Sequence, residues 1–297
     1  MNALPACSPA YAPTTSARRL GRLAISALHG ELACSPKPGL VTPFSSGSHH
    51  DMDAATFMRS LFALRGYYVA TADAAPRSDD FEPLRRLGID AERAMLSATG
   101  GINTHRGAIF SLGLLVAQAA RLRAGSGTPA TAEAVCASVA DWRDDLLAGA
   151  LDPASPGQRA CARHAVRGVR EQAADGFPLL RAIGIPTLRA ALHDGLPANA
   201  ARVQTLMQLV AATDDLNLLH RGGAEGLRFA QAQARAFLAE GGVRATDWET
   251  RMDILCRSFE ARRLSPGGSA DLLACSLFLL QQEQMESMGL LPRQEAP

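Results

Sequence analysis

Lysine is nearly missing from this chain: of 30 basic residues among 297, Lys37 is the sole lysine and the rest are arginine. That scarcity excludes two large enzyme classes. A P-loop nucleotidase needs Gly-Lys followed by Ser or Thr, and Lys37 is followed by Pro38. A protein kinase needs its lysine within a strand, where the flanking Pro36 and Pro38 would not be tolerated. The glycine fingerprint of dinucleotide-binding folds and the HExxH zinc motif are absent too. Net charge is also lacking, with 30 basic residues against 29 acidic ones, so no global field would hold a nucleic acid or an anionic membrane. A small ligand met by local charges fits better. The six cysteines, Cys7, Cys34, Cys136, Cys161, Cys256 and Cys275, are too far apart for CxxC chemistry. They read as free, buried thiols of a reducing compartment, the cytoplasm.

Sustained strand alternation is missing as well, and β-branched residues are sparse while Ala, Leu and Arg abound. The expectation is an all-α, single-domain multi-helix bundle, with glycine-rich loops at helix N-termini forming the site. Residues 1–15 read as a flexible tail, 16–290 as one helical catalytic domain, and 291–297 as a second tail. In the first helix Leu20, Leu23, Ala24, Ala27, Leu28 and Glu31 fall at helical spacing. Further helical patterns include 103–123, 131–150, 158–175, 178–193, 198–213, 223–240 and 269–287. The stretches 108-AIFSLGLLV-116 and 272-LLACSLFLL-280 are apolar all round, as central bundle helices are. Each is well short of the roughly 18 to 20 apolar residues of a membrane span.

The chemistry concentrates in the connectors. In 35-SPKPGLVTPFSSGSHHDMD-53 two prolines fix φ on either side of Lys37, and a lone ammonium held this way suits a phosphate. His49, His50, Asp51 and Asp53 close that connector; Asp53 is placed to cap the next helix, which leaves Asp51 the freer carboxylate. Three Gly-Gly pairs, in 99-TGGINTHRGAIF-110, 219-LHRGGAEGLRFA-230 and 265-SPGGSADLL-273, lead toward helices, where free N–H groups can converge on phosphate oxygens. Gly241-Gly242 reads as an ordinary helix C-cap. Asn103 is expected to cap a helix whose first turn carries Arg106, a cation the macrodipole disfavours there, so an anionic partner is expected. The alternatives are that Arg106 pairs with an acid of the chain or reaches to solvent. Asp215 and Asn217 could hold a hard cation such as Mg2+ or close a local turn. Ser269 reads as an N-cap and Asp271 as an acid complementing the helix start.

Together PKPGLV (36–41), GSHHDMD (47–53) with Phe57 and Ser60, TGGINTHRGAIFSLGLL (99–115), DDLNLLHRGG (214–223) and SPGGSADLLA (265–274) resemble the triphosphoribosyl-dephospho-coenzyme A synthases. That resemblance implies transfer of the 5-triphosphoribosyl group of ATP to the 2′-hydroxyl of 3′-dephospho-coenzyme A, with release of adenine and with Mg2+. The product is the precursor of a prosthetic group for acyl-carrier subunits, loaded by a downstream transferase. SGSHHDMDAATF is more similar to the malonate decarboxylase branch than to the citrate lyase branch. On this reading Asp51, then Asp215, serves as base, and His49 and His105 assist. Asp51, Asp215 and Asn217 meet metal, while Lys37, Asn103, Arg106, Arg221, Gly222, Gly223, Ser265, Gly267 and Gly268 bind the nucleotide. Leu216 and Gln172 depart from the family pattern, which favours Thr and Glu there, and Arg170 carries over only weakly. The rival readings are a metal-dependent hydrolase of ADP-ribose-type N-glycosides and a helical nucleotide-binding protein without turnover.

Overall fold

The computed structural model describes residues 12–148, 161, 163 and 166–286. The expected tail at 291–297, most of that at 1–15 and part of the 158–175 pattern lie outside them. Among the described residues all regular structure is helical, and the lone β-bridge joins Thr42 to Ser45 within one turn.

Helix α1 (Thr15–Leu32) starts where Thr14 Oγ1 accepts the Ala17 N–H at 3.1 Å. It buries Leu20, Ala24, Ala27 and Leu28, the stripe its spacing foretold. It packs on α2 (Ala54–Ala74), whose N-cap Asp53 accepts both the Thr56 N–H and hydroxyl at 2.8 Å. Helix α3 (Glu82–Thr99) leads into α4 (Arg106–Ser126), followed by α5 (Ala132–Ser138) and α6 (Arg143–Ala148). The single helix expected over 131–150 is thus two pieces around a 3-10 turn at Val139–Trp142. After α7 (Val169–Ala174), a π-helical turn at Leu180–Gly184 runs into α8 (Ile185–His193). The series ends with α9 (Ala198–Ala212), α10 (Leu216–Ala239), α11 (Trp248–Ala261) and α12 (Gly267–Glu283).

Helices α4 and α12 form the centre, and each touches α1 and the other. Their sides are buried in every direction, as their uniform apolarity requires. By length and composition α4 could cross a bilayer, but 67% of its apolar window is covered by the protein itself. It is the core helix of the bundle.

The glycine pairs divide. Gly267 and Gly268 do open α12, and Gly241 follows α10 in the left-handed conformation, as a helix-closing residue does. Gly100, however, ends α3 in that same conformation, and Gly101 donates back to Leu96 O at 2.7 Å, so this pair closes a helix and does not open one. Gly222 and Gly223 lie inside α10, which starts earlier than expected and breaks at Gly223 (φ 61°, ψ −164°).

Candidate active site

Three connectors meet at one end of the bundle. The loop from α1 to α2 turns at Gly39 with φ +68°, and a Cβ there would overlap the Leu264 carbonyl. Ser48 Oγ donates to that carbonyl at 2.6 Å, so the loop lies against the turn from α11 to α12. In that turn Arg263 is itself left-handed (φ 56°), a conformation uncommon for a residue other than glycine.

His49 joins the parts. Arg221 Nη2 lies 2.9 Å from His49 Nδ1, and His49 Nε2 lies 3.0 Å from Ser265 Oγ. A guanidinium only donates, so Nδ1 is the acceptor and Nε2 carries the proton toward Ser265. Burial, and then the Arg221 charge, lower the His49 pKa to about 4, so the ring is neutral near pH 7. Arg221 also donates to Ser48 O at 3.1 Å and to Arg263 O at 3.3 Å. Asp51 stands beside this node, 3.8 Å from His49 Nδ1, with its side chain 61% exposed.

Asp215 is the N-cap of α10, where its Oδ1 accepts the N–H of Asn217 at 2.9 Å and of Leu218 at 3.3 Å. Its Oδ2 accepts the Ser269 N–H at 2.7 Å and hydroxyl at 2.9 Å. A carboxylate offers about four acceptor positions, and these are filled. Asp215 therefore ties the start of α10 to the start of α12, and Ser269, expected as an N-cap, is the third residue of its helix and supplies that tie. The approach is close: a Cβ on Gly268 would come 3.2 Å from the Asp215 carboxyl, and one on Gly267 2.7 Å from Asn217 Nδ2. Asn217 is exposed.

Lys37 is not presented to solvent. Its Nζ donates to Glu31 Oε1 at 2.6 Å and to Glu31 O at 2.7 Å, with the two side chains 1% and 8% exposed. The partner was visible in the sequence only as an acid on the apolar stripe of α1. The N-cap of α4 is His105, without a side-chain cap bond, and not Asn103 as expected; Asn103 is exposed and accepts the Arg106 N–H at 3.0 Å from two residues upstream of that cap. The anion that compensates Arg106 is Glu92 of α3. His105 is buried, with Nδ1 2.7 Å from Ser60 Oγ and its ring edge-on to Phe57. Burial, then the Lys37 charge, lower its pKa to about 3, and its Nε2 has no partner. Asp271, read as a helix-start acid, is half-buried against Gly107 of α4.

Gly222 has a packing role: a Cβ there would come 2.6 Å from Leu264 Cδ2. Among the described residues no group of three His, Cys, Asp or Glu side chains is placed to hold a metal ion.

Set beside known proteins, residues 17–289 match the model of the family described as ATP:dephospho-CoA triphosphoribosyl transferase. The chain belongs to this family. It is 43% identical over 272 residues to a probable 2-(5''-triphosphoribosyl)-3'-dephosphocoenzyme-A synthase of Stutzerimonas stutzeri, covering 89% of this chain and 92% of the relative. It is 38% identical over 303 residues to a protein of the same description from Citrobacter koseri, covering 97% and 99%. A synthase of Pectobacterium atrosepticum is 39% identical over 263 residues, 85% of either chain. No solved structure matches. The molecule is thus an enzyme, a triphosphoribosyl transferase.

Proposed function

We propose that this transferase makes the prosthetic-group precursor of a malonate decarboxylase acyl-carrier subunit, in the cytoplasm, and that the His49 node is its reacting centre. Joining ATP to 3′-dephospho-coenzyme A is a displacement at C1′ of the ribose: the acceptor 2′-hydroxyl attacks, adenine leaves, and the triphosphate stays on the sugar. Such a step needs an anion holder, a base for the hydroxyl and a water-poor setting for an oxocarbenium-like carbon.

The residues offer the first two of these. Arg221 and the N–H groups at Gly267 and Gly268 hold the triphosphate, with the Ser265 hydroxyl beside them. Asp51, exposed next to His49, takes the hydroxyl proton; Asp215, with its acceptor positions filled, stays a structural tie. Neutral His49 orients a sugar or base group and does not act as an acid. Lys37 is neutralised by Glu31, and the buried pair fixes the wall of the site. Asn103 and Arg106 hold the start of α4 in place, and Gly222 and Gly223 shape α10. The described residues do not form a protein cage for Mg2+, so the ion is assigned to the triphosphate that brings it. Among the described residues all five cysteines are free, which supports a reducing compartment. The SGSHHDMD wording supports the malonate branch.

The observation that carries the site assignment is the pair of contacts from His49 to Arg221 and Ser265, which brings three distant segments to one point. Chromatography of the enzyme with ATP and Mg2+, with and without dephospho-coenzyme A, tests the reaction. Adenine that forms only with acceptor is expected; cleavage without acceptor would make the protein a hydrolase. Loading of the product onto purified carrier subunits then tests the branch, and selective use by a citrate lyase carrier would reverse it.

A further inference from the structure

The connector that carries His49 also carries the most exposed large apolar side chain among the described residues, Phe44, which is 86% exposed. A lone apolar side chain on a surface is ordinary. Phe44 differs in being held at a fixed point. The Thr42 N–H donates to Ser45 O at 2.8 Å, so Pro43 and Phe44 form the tip of a tight turn. Thr42 Oγ1 accepts the N–H of Phe44 at 3.2 Å and of Ser45 at 3.0 Å, and Ser45 Oγ accepts the Gly47 N–H at 3.0 Å. Pro43 fixes φ at the first tip position. At the base of the turn the Ser48 N–H donates to Gly39 O at 3.2 Å, and Ser48 Oγ anchors on Leu264 O. A slack tip could fold its ring back onto the protein. This one is stiff, and its ring stays in water although covering it would be favourable.

The tip is also close to the reacting centre. Phe44 precedes His49 by five residues, which reach roughly 18 Å at full extension. The chain folds back on the way, with the His49 N–H donating to Ser46 O at 3.1 Å, so the separation is shorter than that limit. His49 in turn meets Arg221 and Ser265.

Only one part of either substrate suits such a ring. The adenines sit on the reacting riboses, a few bonds from C1′ of ATP or from the attacking 2′-hydroxyl, and the phosphates are ionic. Dephospho-coenzyme A carries in addition a pantetheine arm, uncharged and extended, with a branched dimethyl carbon beyond the diphosphate. It is long enough to reach from the node to the tip, and its apolar carbons gain by covering a phenyl ring. We infer that Phe44 is the platform on which the pantetheine arm of the acceptor lies, and that it favours this acceptor over shorter adenine nucleotides. This rests on the placement of the reacting centre at His49.

Steady-state kinetics of Phe44→Ala test the role. KM for dephospho-coenzyme A should rise about 10- to 100-fold, the worth of one buried phenyl ring, while kcat and KM for ATP stay within a few-fold of wild type. An unchanged KM for the acceptor, or an equal rise in KM for ATP, would overturn the assignment. Because the side chain is exposed, the substitution should not move the urea midpoint. Phe44→Trp keeps the platform, so its KM should remain near that of wild type, and it gives a reading free of turnover. Its emission should shift to shorter wavelength with dephospho-coenzyme A and not with ADP, which lacks the arm; the wild-type protein, with Trp142 and Trp248, supplies the background. A shift with both nucleotides, or with neither, would also overturn the assignment. Wild-type enzyme that releases no adenine with acceptor present sinks the transfer reading alone, and the emission titration still decides whether Phe44 meets the arm.

Discussion

Replacing Lys37 with methionine should destabilise the protein before it says anything about turnover. The ammonium and the Glu31 carboxylate are 1% and 8% exposed, and the contact is 2.6 Å. Lys37→Met leaves a buried carboxylate without its cation, which costs about 3–5 kcal/mol, against about 0–1 kcal/mol for a solvent-exposed pair. The Glu31 carbonyl also loses its donor, which places the expected loss toward the upper end of that range. At this chain length the melting temperature should drop by on the order of 10 °C. The double variant Lys37→Met with Glu31→Leu removes both charges and fills the space with apolar atoms, so most of the stability should return. Urea unfolding followed by far-UV circular dichroism measures both. A Lys37→Met midpoint equivalent to wild type, or a double variant as unstable as the single, would refute the claim that this pair is buried and coupled. The double variant also separates roles: if it is stable but inactive, the lone lysine contributes charge to the substrate as well as to the fold.

Asp51 should behave in the opposite way. Because its side chain is 61% exposed, Asp51→Asn is expected to leave the urea midpoint within about 0.5 kcal/mol of wild type. Adenine release, measured by chromatography, should drop by about 10² or more through loss of the base. His105 makes stability depend on pH: its folded pKa of about 3 lies below the ordinary value of 6.5, so its contribution is full above that value and is lost as pH falls toward 3. The term is on the order of 5 kcal/mol, and urea midpoints at a series of pH values should show it shrink in His105→Gln. Gly39→Ala combines a strained φ of +68° with overlap on a backbone carbonyl that cannot retreat easily, and should cost about 2–4 kcal/mol in the same unfolding assay.

The helical class was legible because composition and spacing act locally: the buried stripe of α1, the Asp53 cap and the all-round apolarity of α4 and α12 are properties of neighbouring residues. What sequence reading missed depends on contacts between elements. Gly100-Gly101 sits between two helices, and its letters do not say whether it closes the first or opens the second; the Gly101 bond to Leu96 decides. Lys37 was read as aimed at a guest because its neighbours were rigid prolines, whereas its partner is an acid of α1 reached across the loop. Glu31 carried a signal that could have been used, since an acid on an apolar helix face needs a counter-charge. Asp271 carried none, because its setting is made by Gly107, Glu31 and Asp215, which come from three other parts of the chain.

These misses share a physical cause that bears on the site itself. Each cation the sequence offered for a phosphate, Lys37, Arg106 and Arg221, has a partner within the protein: Glu31, Glu92 and the His49 node. Two of those partners are carboxylates, and a phosphate would have to displace them. The third is a neutral ring whose Nδ1 can give up one Arg221 donor without stranding a charge. Arg221 is therefore the cation whose transfer to a triphosphate costs least, which favours the proposed seat of the triphosphate beside His49 and the start of α12.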